Sequence, residues 1–112
     1  VFNRYALPIY VTENGFDVKG ESQMSLEEAL HDRARIQYFE EHIQALQESR
    51  EKCDIRGYFA WSLYDNMEWA EGYSKRFGIT AIADRKQGNF TRIWKDSAFW
   101  WEKFNRKREL GM

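Results

Sequence analysis

Two groups of acidic and aromatic residues have the types and spacing needed for chemistry. Glu13 directly follows an apolar run and precedes an Asn-Gly pair. Trp61 lies near the end of a second apolar run, and Asp65, Glu68 and Trp69 follow it within eight residues. An indole ring packs against the apolar face of a sugar, and carboxylates accept hydrogen bonds from its hydroxyl groups. This mixture of residues is typical of a saccharide-binding site.

Each of these residues also has a purely structural interpretation. A carboxylate at a strand end, such as Glu13, is often a solvated or capping group. Trp61 could belong to the core, and Glu68 could be a loop charge in contact with water. Residue type and position alone leave both interpretations open.

Both groups follow segments that the sequence predicts to be β-strands. The first runs from Leu7 to Thr12 and is stopped by Asn14-Gly15, and the second runs from Ile55 to Leu63. The segment Phe77 to Ala83 is expected to extend the same strand system. Continuous apolar runs are typical of parallel strands buried on both faces, and ligands bind at the carboxyl ends of such strands.

Two helices are predicted between and after these strands. Ser25 and Glu28 have the spacing of a capping box, and apolar residues keep helical spacing from Leu26 to about Ser49. A final helix is predicted to begin near Asp96 or Ser97. The resulting order of strand, helix, strand and helix indicates an α/β protein built from βα units.

Composition excludes several functional classes. The chain has 112 residues and a formal net charge of −1, which gives no electrostatic basis for binding nucleic acid or an acidic membrane surface. No apolar run is long enough to span a bilayer. A single cysteine, Cys53, precludes an internal disulfide, and His31 and His42 do not form a recognisable metal motif.

A piece with two parallel strands is incomplete as a packing unit. Both strands expose edges, and two helices cover little of a sheet. A closed (β/α)8 barrel requires eight strands and about 250 residues. The chain is therefore expected to be either a small open α/β domain or a quarter of a barrel, and its start at Val1 suggests the middle of a longer sequence.

Three motifs resemble glycoside hydrolase family 1, the β-glucosidase type. The run Pro-Ile-Tyr-Val-Thr-Glu-Asn-Gly at 8–15 resembles the nucleophile motif of that family. The run Gly-Tyr-Phe-Ala-Trp-Ser-Leu-Tyr-Asp-Asn-Met-Glu-Trp at 57–69 resembles its last barrel strand and sugar-gripping loop, and 71–79 fits the continuation. One departure is Trp94, where the family usually has proline before lysine, and only a local loop change is expected there.

The resemblance implies a fold and partners. It assigns the chain to an α/β fold, the C-terminal βαβα quarter of a TIM (β/α)8 barrel. Residues 1–112 would form an incomplete domain from strand seven through helix eight. The implied partners are the remainder of the barrel and a β-glucoside or related β-glycoside, with no cofactor and no metal.

The resemblance also implies a role for each candidate residue. Glu13 matches the catalytic nucleophile, and Trp61 matches the platform beneath the bound sugar. Glu68 and Trp69 match the pair that grips the hydroxyls at C3, C4 and C6, and Phe77 matches an aromatic lining near C6. The Asn-Glu-Pro motif that carries the acid/base glutamate of the family does not occur in this sequence.

The functional hypothesis is that the chain is the C-terminal part of a retaining β-glycosidase that hydrolyses unphosphorylated β-glucosides. Without the acid/base residue, the isolated chain is expected to be inactive. Two alternatives are a stand-alone carbohydrate-binding module and an interaction fragment whose open strand edges pair with a partner chain. The chain start and the exposed edges favour the enzyme part and the interaction fragment over the binding module.

Overall fold

The computed structural model describes residues 2–109 and shows an α/β arrangement with two small sheets. The helices and strands, in chain order, are α1 (Phe2–Tyr5), β1 (Ile9–Gly15), α2 (Leu26–Leu30), α3 (Arg33–Ser49), β2 (Ile55–Trp61), β3 (Thr80–Asp84), β4 (Asn89–Trp94) and α4 (Asp96–Glu109). Within this described part, no helix is both long and apolar enough to cross a bilayer.

The first sheet is the parallel pair β1 and β2, as the βα pattern predicts. Its register runs from Ile9 opposite Ile55 to Gly15 opposite Trp61. The prediction that Asn14-Gly15 ends the strand is wrong, because both residues belong to β1. A Cβ at Gly15 would lie 1.9 Å from the carbonyl oxygen of Trp61, so only glycine allows the two strands to approach this closely.

The predicted helix from Leu26 to Ser49 is interrupted. The capping box is confirmed, since the Glu28 N–H donates to Ser25 Oγ at 3.2 Å, but α2 ends at Leu30. Asp32 has non-helical backbone angles, and its buried carboxylate accepts the backbone N–H of Ser97 at 2.9 Å. Residues 31–32 therefore form a non-helical break between α2 and α3. At this break the Asp32 carboxylate connects the two helices to α4.

The second sheet is a hairpin that the sequence interpretation missed. Residues 77–83 do not extend the first sheet, because β3 pairs antiparallel with β4 and only an isolated bridge joins Tyr64 to Thr80. Gly88 adopts the left-handed conformation that the connection requires. Trp94 is the last residue of β4 rather than a loop residue, and its ring packs edge-on against Phe99 at 5.1 Å.

An aromatic layer between α3 and α4 covers one face of the parallel pair. Phe39 is fully buried and contacts Trp101 edge-on at 5.2 Å, while Tyr58 of β2 stacks on Trp101 at 5.9 Å. The opposite face carries Tyr10 and Phe59, which are 55% and 58% exposed. The sheet is therefore packed on one side and open on the other.

Candidate active site

The parallel pair places Glu13 and Trp61 at the carboxyl ends of neighbouring strands. Gly15 lies opposite Trp61 in the register, and Glu13 is two residues before Gly15 on the same strand. Glu13 is exposed, whereas Trp61 is half-buried. This is the end of a parallel sheet at which ligands bind.

Asn14 is fixed beside Glu13 by a hydrogen bond that the sequence interpretation did not include. The hydroxyl of Tyr58 donates to Asn14 Oδ1 at 2.5 Å. Burial of Tyr58, with a smaller effect from Tyr38, raises its pKa to about 12. A tyrosine with the ordinary pKa of 10.0 is already protonated at neutral pH, and the raised value keeps this donor intact into more alkaline solution. The hydrogen bond joins β1 to β2 next to the candidate nucleophile.

Phe77 lies beside the end of β2 because the two limbs of a loop meet there. This loop, residues 62–79, is called the glycone loop because it carries the residues that the family resemblance assigns to sugar binding. The N–H of Ser62 donates to the Phe77 carbonyl at 3.0 Å, and the N–H of Ile79 donates to the Ser62 carbonyl at 2.9 Å. These two hydrogen bonds hold Phe77 next to the residue that directly follows Trp61 in the chain.

Glu68 and Trp69 lie at the tip of the glycone loop and are held by a local turn. The N–H of Glu68 donates to the Gly72 carbonyl at 2.6 Å, and the N–H of Gly72 donates to the Trp69 carbonyl at 3.1 Å. Trp69 has a positive φ of 43° and is 87% exposed. Within residues 2–107, the carboxylates of Glu13 and Glu68 form no hydrogen bond or ion pair, so their oxygens are available to a ligand.

The structure therefore brings some of the candidate residues together and leaves others apart. Glu13, Trp61 and Phe77 lie at or beside the carboxyl ends of β1 and β2. Glu68 and Trp69 are connected to them through the backbone of the glycone loop. No group of three or more His, Cys, Asp or Glu side chains in the described part of the chain could hold a metal ion.

A buried group of charged residues beneath the glycone loop was missed from the sequence. Its members are Glu21, Asp32, Arg35 and Lys95, each at most 4% exposed, together with Asp65. In the sequence these residues resemble ordinary solvated charges. The three-residue spacing of Asp32 and Arg35, which places them on one side of a helical turn, was the one available signal.

Comparison with known proteins decides the family. Residues 1–110 match the sequence profile of Glycosyl hydrolase family 1. The chain belongs to this family. This match confirms the family that the motifs at the strand ends predict. It also extends over nearly the whole chain.

Similar proteins of glycosyl hydrolase family 1 are much longer than this chain. Beta-glucosidase 11 of Oryza sativa subsp. japonica is 50% identical over 100 residues, which are 88% of this chain and 18% of that protein. β-Glucosidase 2 from Trichoderma reesei superposes with a TM-score of 0.87 at 43% identity, over 95% of this chain and 23% of that one. The chain thus spans about a fifth of the length of its relatives.

A rice β-glucosidase mutant, solved in a covalent complex with Glc, is a further similar structure. It is 46% identical, with a TM-score of 0.81, over 89% of this chain and 21% of that chain. The glycosyl hydrolase family 1 neighbours are TIM barrels, and this chain is a partial α/β fragment of that architecture. The predicted fold class is confirmed.

Proposed function

We propose that this chain supplies the nucleophile and part of the glycone site of a retaining β-glycosidase, within a (β/α)8 barrel completed by further sequence. Glu13 is the nucleophile, Trp61 is the platform beneath the sugar, and Glu68, Trp69 and Phe77 contact its hydroxyl groups. The observation that carries the proposal is the position of the exposed Glu13 carboxylate at the strand end neighbouring Trp61.

The proposed reaction proceeds through a covalent intermediate. A Glu13 oxygen attacks the anomeric carbon as the bond to the leaving group breaks, and water later hydrolyses the glycosyl ester. Retaining enzymes place the second carboxyl group roughly 5–5.5 Å from the nucleophile. Because this chain lacks the Asn-Glu-Pro motif, the acid/base residue must come from the remainder of the barrel.

The relatives support this chemistry. The rice β-glucosidase mutant forms a covalent complex with Glc, which is the kind of species that a carboxylate nucleophile produces. The carboxylate of Glu68 favours neutral sugars, since it accepts hydrogen bonds from hydroxyls and repels a phosphate group.

A chimera tests the proposal. Residues 1–110 replace the matching segment of β-glucosidase 2 from Trichoderma reesei, and hydrolysis of an aryl β-glucoside is measured. The chimera is expected to be active, and Glu13→Gln is expected to lower kcat by at least ~10³-fold.

The matched control is Glu40→Gln, which makes the same chemical change at an exposed position on α3. It should leave kcat unchanged. A folded chimera in which Glu13→Gln retains full activity would contradict the assignment. A folded chimera that binds the glucoside without hydrolysing it would favour the inactive carbohydrate-binding alternative.

A further inference from the structure

Lys95 is fully buried and bridges two carboxylates beneath the glycone loop. Its Nζ lies 2.9 Å from Asp65 Oδ1 and 3.4 Å from Glu21 Oε2. Arg35 binds both oxygens of Glu21, at 3.0 and 2.9 Å, and also binds Asp32 at 2.6 Å. Every charge of this buried group therefore has at least one partner of opposite sign.

Such a group is weak evidence for stability. Removing charges from water is energetically costly, and well-packed apolar residues often stabilise a core equally well. The charged residues add geometric specificity, because each hydrogen bond fixes the position of a particular oxygen or backbone amide.

Asp65 connects Lys95 to both limbs of the glycone loop. Besides the ammonium group of Lys95, Asp65 Oδ1 accepts the N–H of Gly78 at 2.9 Å, which closes the loop across its base. A Cβ at Gly78 would lie 2.2 Å from the backbone nitrogen of Asp65, so the limbs are in direct contact. The N–H of Lys95 also donates to the Ile79 carbonyl at 3.0 Å.

Arg35 fixes the returning limb at a second point. Its Nη2 donates to the Arg76 carbonyl at 2.8 Å, and the N–H of Arg76 donates to Asp17 Oδ1 at 3.1 Å. The anchors thus contact the loop on both sides of Phe77. Glu68 and Trp69 lie on the same loop, between the anchored residues Asp65 and Arg76.

We propose that Lys95 is a positioning residue that acts through Asp65 on the glycone loop and sets the preference for sugars that carry a C6 hydroxymethyl group. This inference rests on the proposed function, with Glu68 and Trp69 at the hydroxyls of C3, C4 and C6 and Phe77 near C6, as the family resemblance implies. Lys95 itself does not contact the substrate.

The test compares two substrates in the chimera. An aryl β-xyloside lacks the C6 hydroxymethyl group that the corresponding β-glucoside has. Lys95→Met is expected to lower the glucoside-to-xyloside ratio of kcat/KM by about tenfold. Lys103→Met, at an exposed position of α4, is the matched control and should leave the ratio unchanged.

A double variant should restore part of the lost glucoside-to-xyloside ratio. In Lys95→Met combined with Asp65→Asn, the amide oxygen still accepts the Gly78 N–H, and the carboxylate that lost its partner is gone. The ratio should recover at least half of the loss. Equal losses for both substrates in Lys95→Met would overturn the proposal, because a smaller folded fraction lowers both values by the same factor.

Hydrogen exchange on the same proteins needs no turnover and separates this inference from the proposed function. Lys95→Met should speed exchange in residues 62–79 and leave α3 unchanged. An inactive chimera with that exchange pattern would contradict the proposed function alone. Unchanged or uniformly faster exchange would contradict the positioning role, whatever the activity.

Discussion

Glu68 is the residue whose charge should separate neutral from phosphorylated sugars in the proposed site. A carboxylate repels a phosphate dianion, and the repulsion is strong where water is excluded. The chimera should prefer an aryl β-glucoside over its 6-phosphate by at least ~100-fold in kcat/KM, or about 2.7 kcal/mol. Glu68→Gln should lower this ratio of kcat/KM values, whereas Glu71→Gln in the same loop should leave the ratio unchanged. Equal use of both substrates would contradict the position assigned to Glu68.

His31 at the helix junction is expected to make stability depend on pH. Its ring nitrogens lie 3.0 Å from Asp96 Oδ2 and 3.2 Å from Glu27 Oε1. The hydrogen bond with Asp96, followed by the one with Glu27, raises the pKa of His31 above 6.5. Because the pKa of His31 is higher in the folded state, protonation of His31 stabilises the fold. This stabilisation is fully present below pH 6.5 and is lost as the pH rises through the folded-state pKa.

His31→Gln should therefore reduce stability at about pH 5.5 and have little effect at about pH 8.5. Thermal unfolding of the chimera and its variant across this range measures the difference. A difference that is constant with pH would show that protonation of His31 makes no contribution.

At the scale of elements, Asp32 joins the helices to one another. Its buried carboxylate accepts the Ser97 N–H and binds Arg35. Removing one partner of a buried ion pair costs about 3–5 kcal/mol, whereas an exposed pair contributes about 1 kcal/mol or less. Asp32→Ala should therefore destabilise the chimera far more than Asp54→Ala, which removes the exposed pair with Arg56.

Urea unfolding of the two variants measures this difference. Similar midpoints for Asp32→Ala and Asp54→Ala would contradict the role given to the buried carboxylate at the helix junction.

The elements show which features a sequence can reveal. Continuous apolar runs predict the parallel strands, and local spacing predicts Ser25 as a helix cap. The break at Asp32 is not predictable in this way, because Ser97, which donates to its carboxylate, is sixty-five residues away in the sequence. Strand β4 was missed because its residues are largely exposed, so no apolar periodicity marks it. Most of the buried charge pairs escape prediction for a similar reason, since Glu21 and Arg35 are fourteen residues apart and Asp65 and Lys95 are thirty apart.

At the scale of the whole molecule, the chain is flatter than a complete domain. Its radius of gyration is 15.9 Å, whereas a compact chain of this length has about 13 Å. One face of the parallel pair is open, with Tyr10 and Phe59 more than half exposed. These features fit the assignment of the chain to strand seven through helix eight, which stays a prediction.

The isolated chain should therefore self-associate and have no β-glucosidase activity. Open strand edges and exposed aromatic residues promote association, and the acid/base carboxylate is missing. Sedimentation and assays with an unactivated disaccharide test both expectations. A compact, cooperative monomer would instead support a small independent module.

Glu13 is proposed to form the covalent intermediate, and trapping that intermediate shows which residue carries the sugar. A 2-fluoro-β-glucoside with a good leaving group slows hydrolysis of a glycosyl ester, so the adduct accumulates and peptide mass spectrometry can locate it. A glycosyl adduct is expected on Glu13 in the chimera, and it should be lost in Glu13→Gln. An adduct on another residue, or one that persists in Glu13→Gln, would contradict the assignment of Glu13 as the nucleophile.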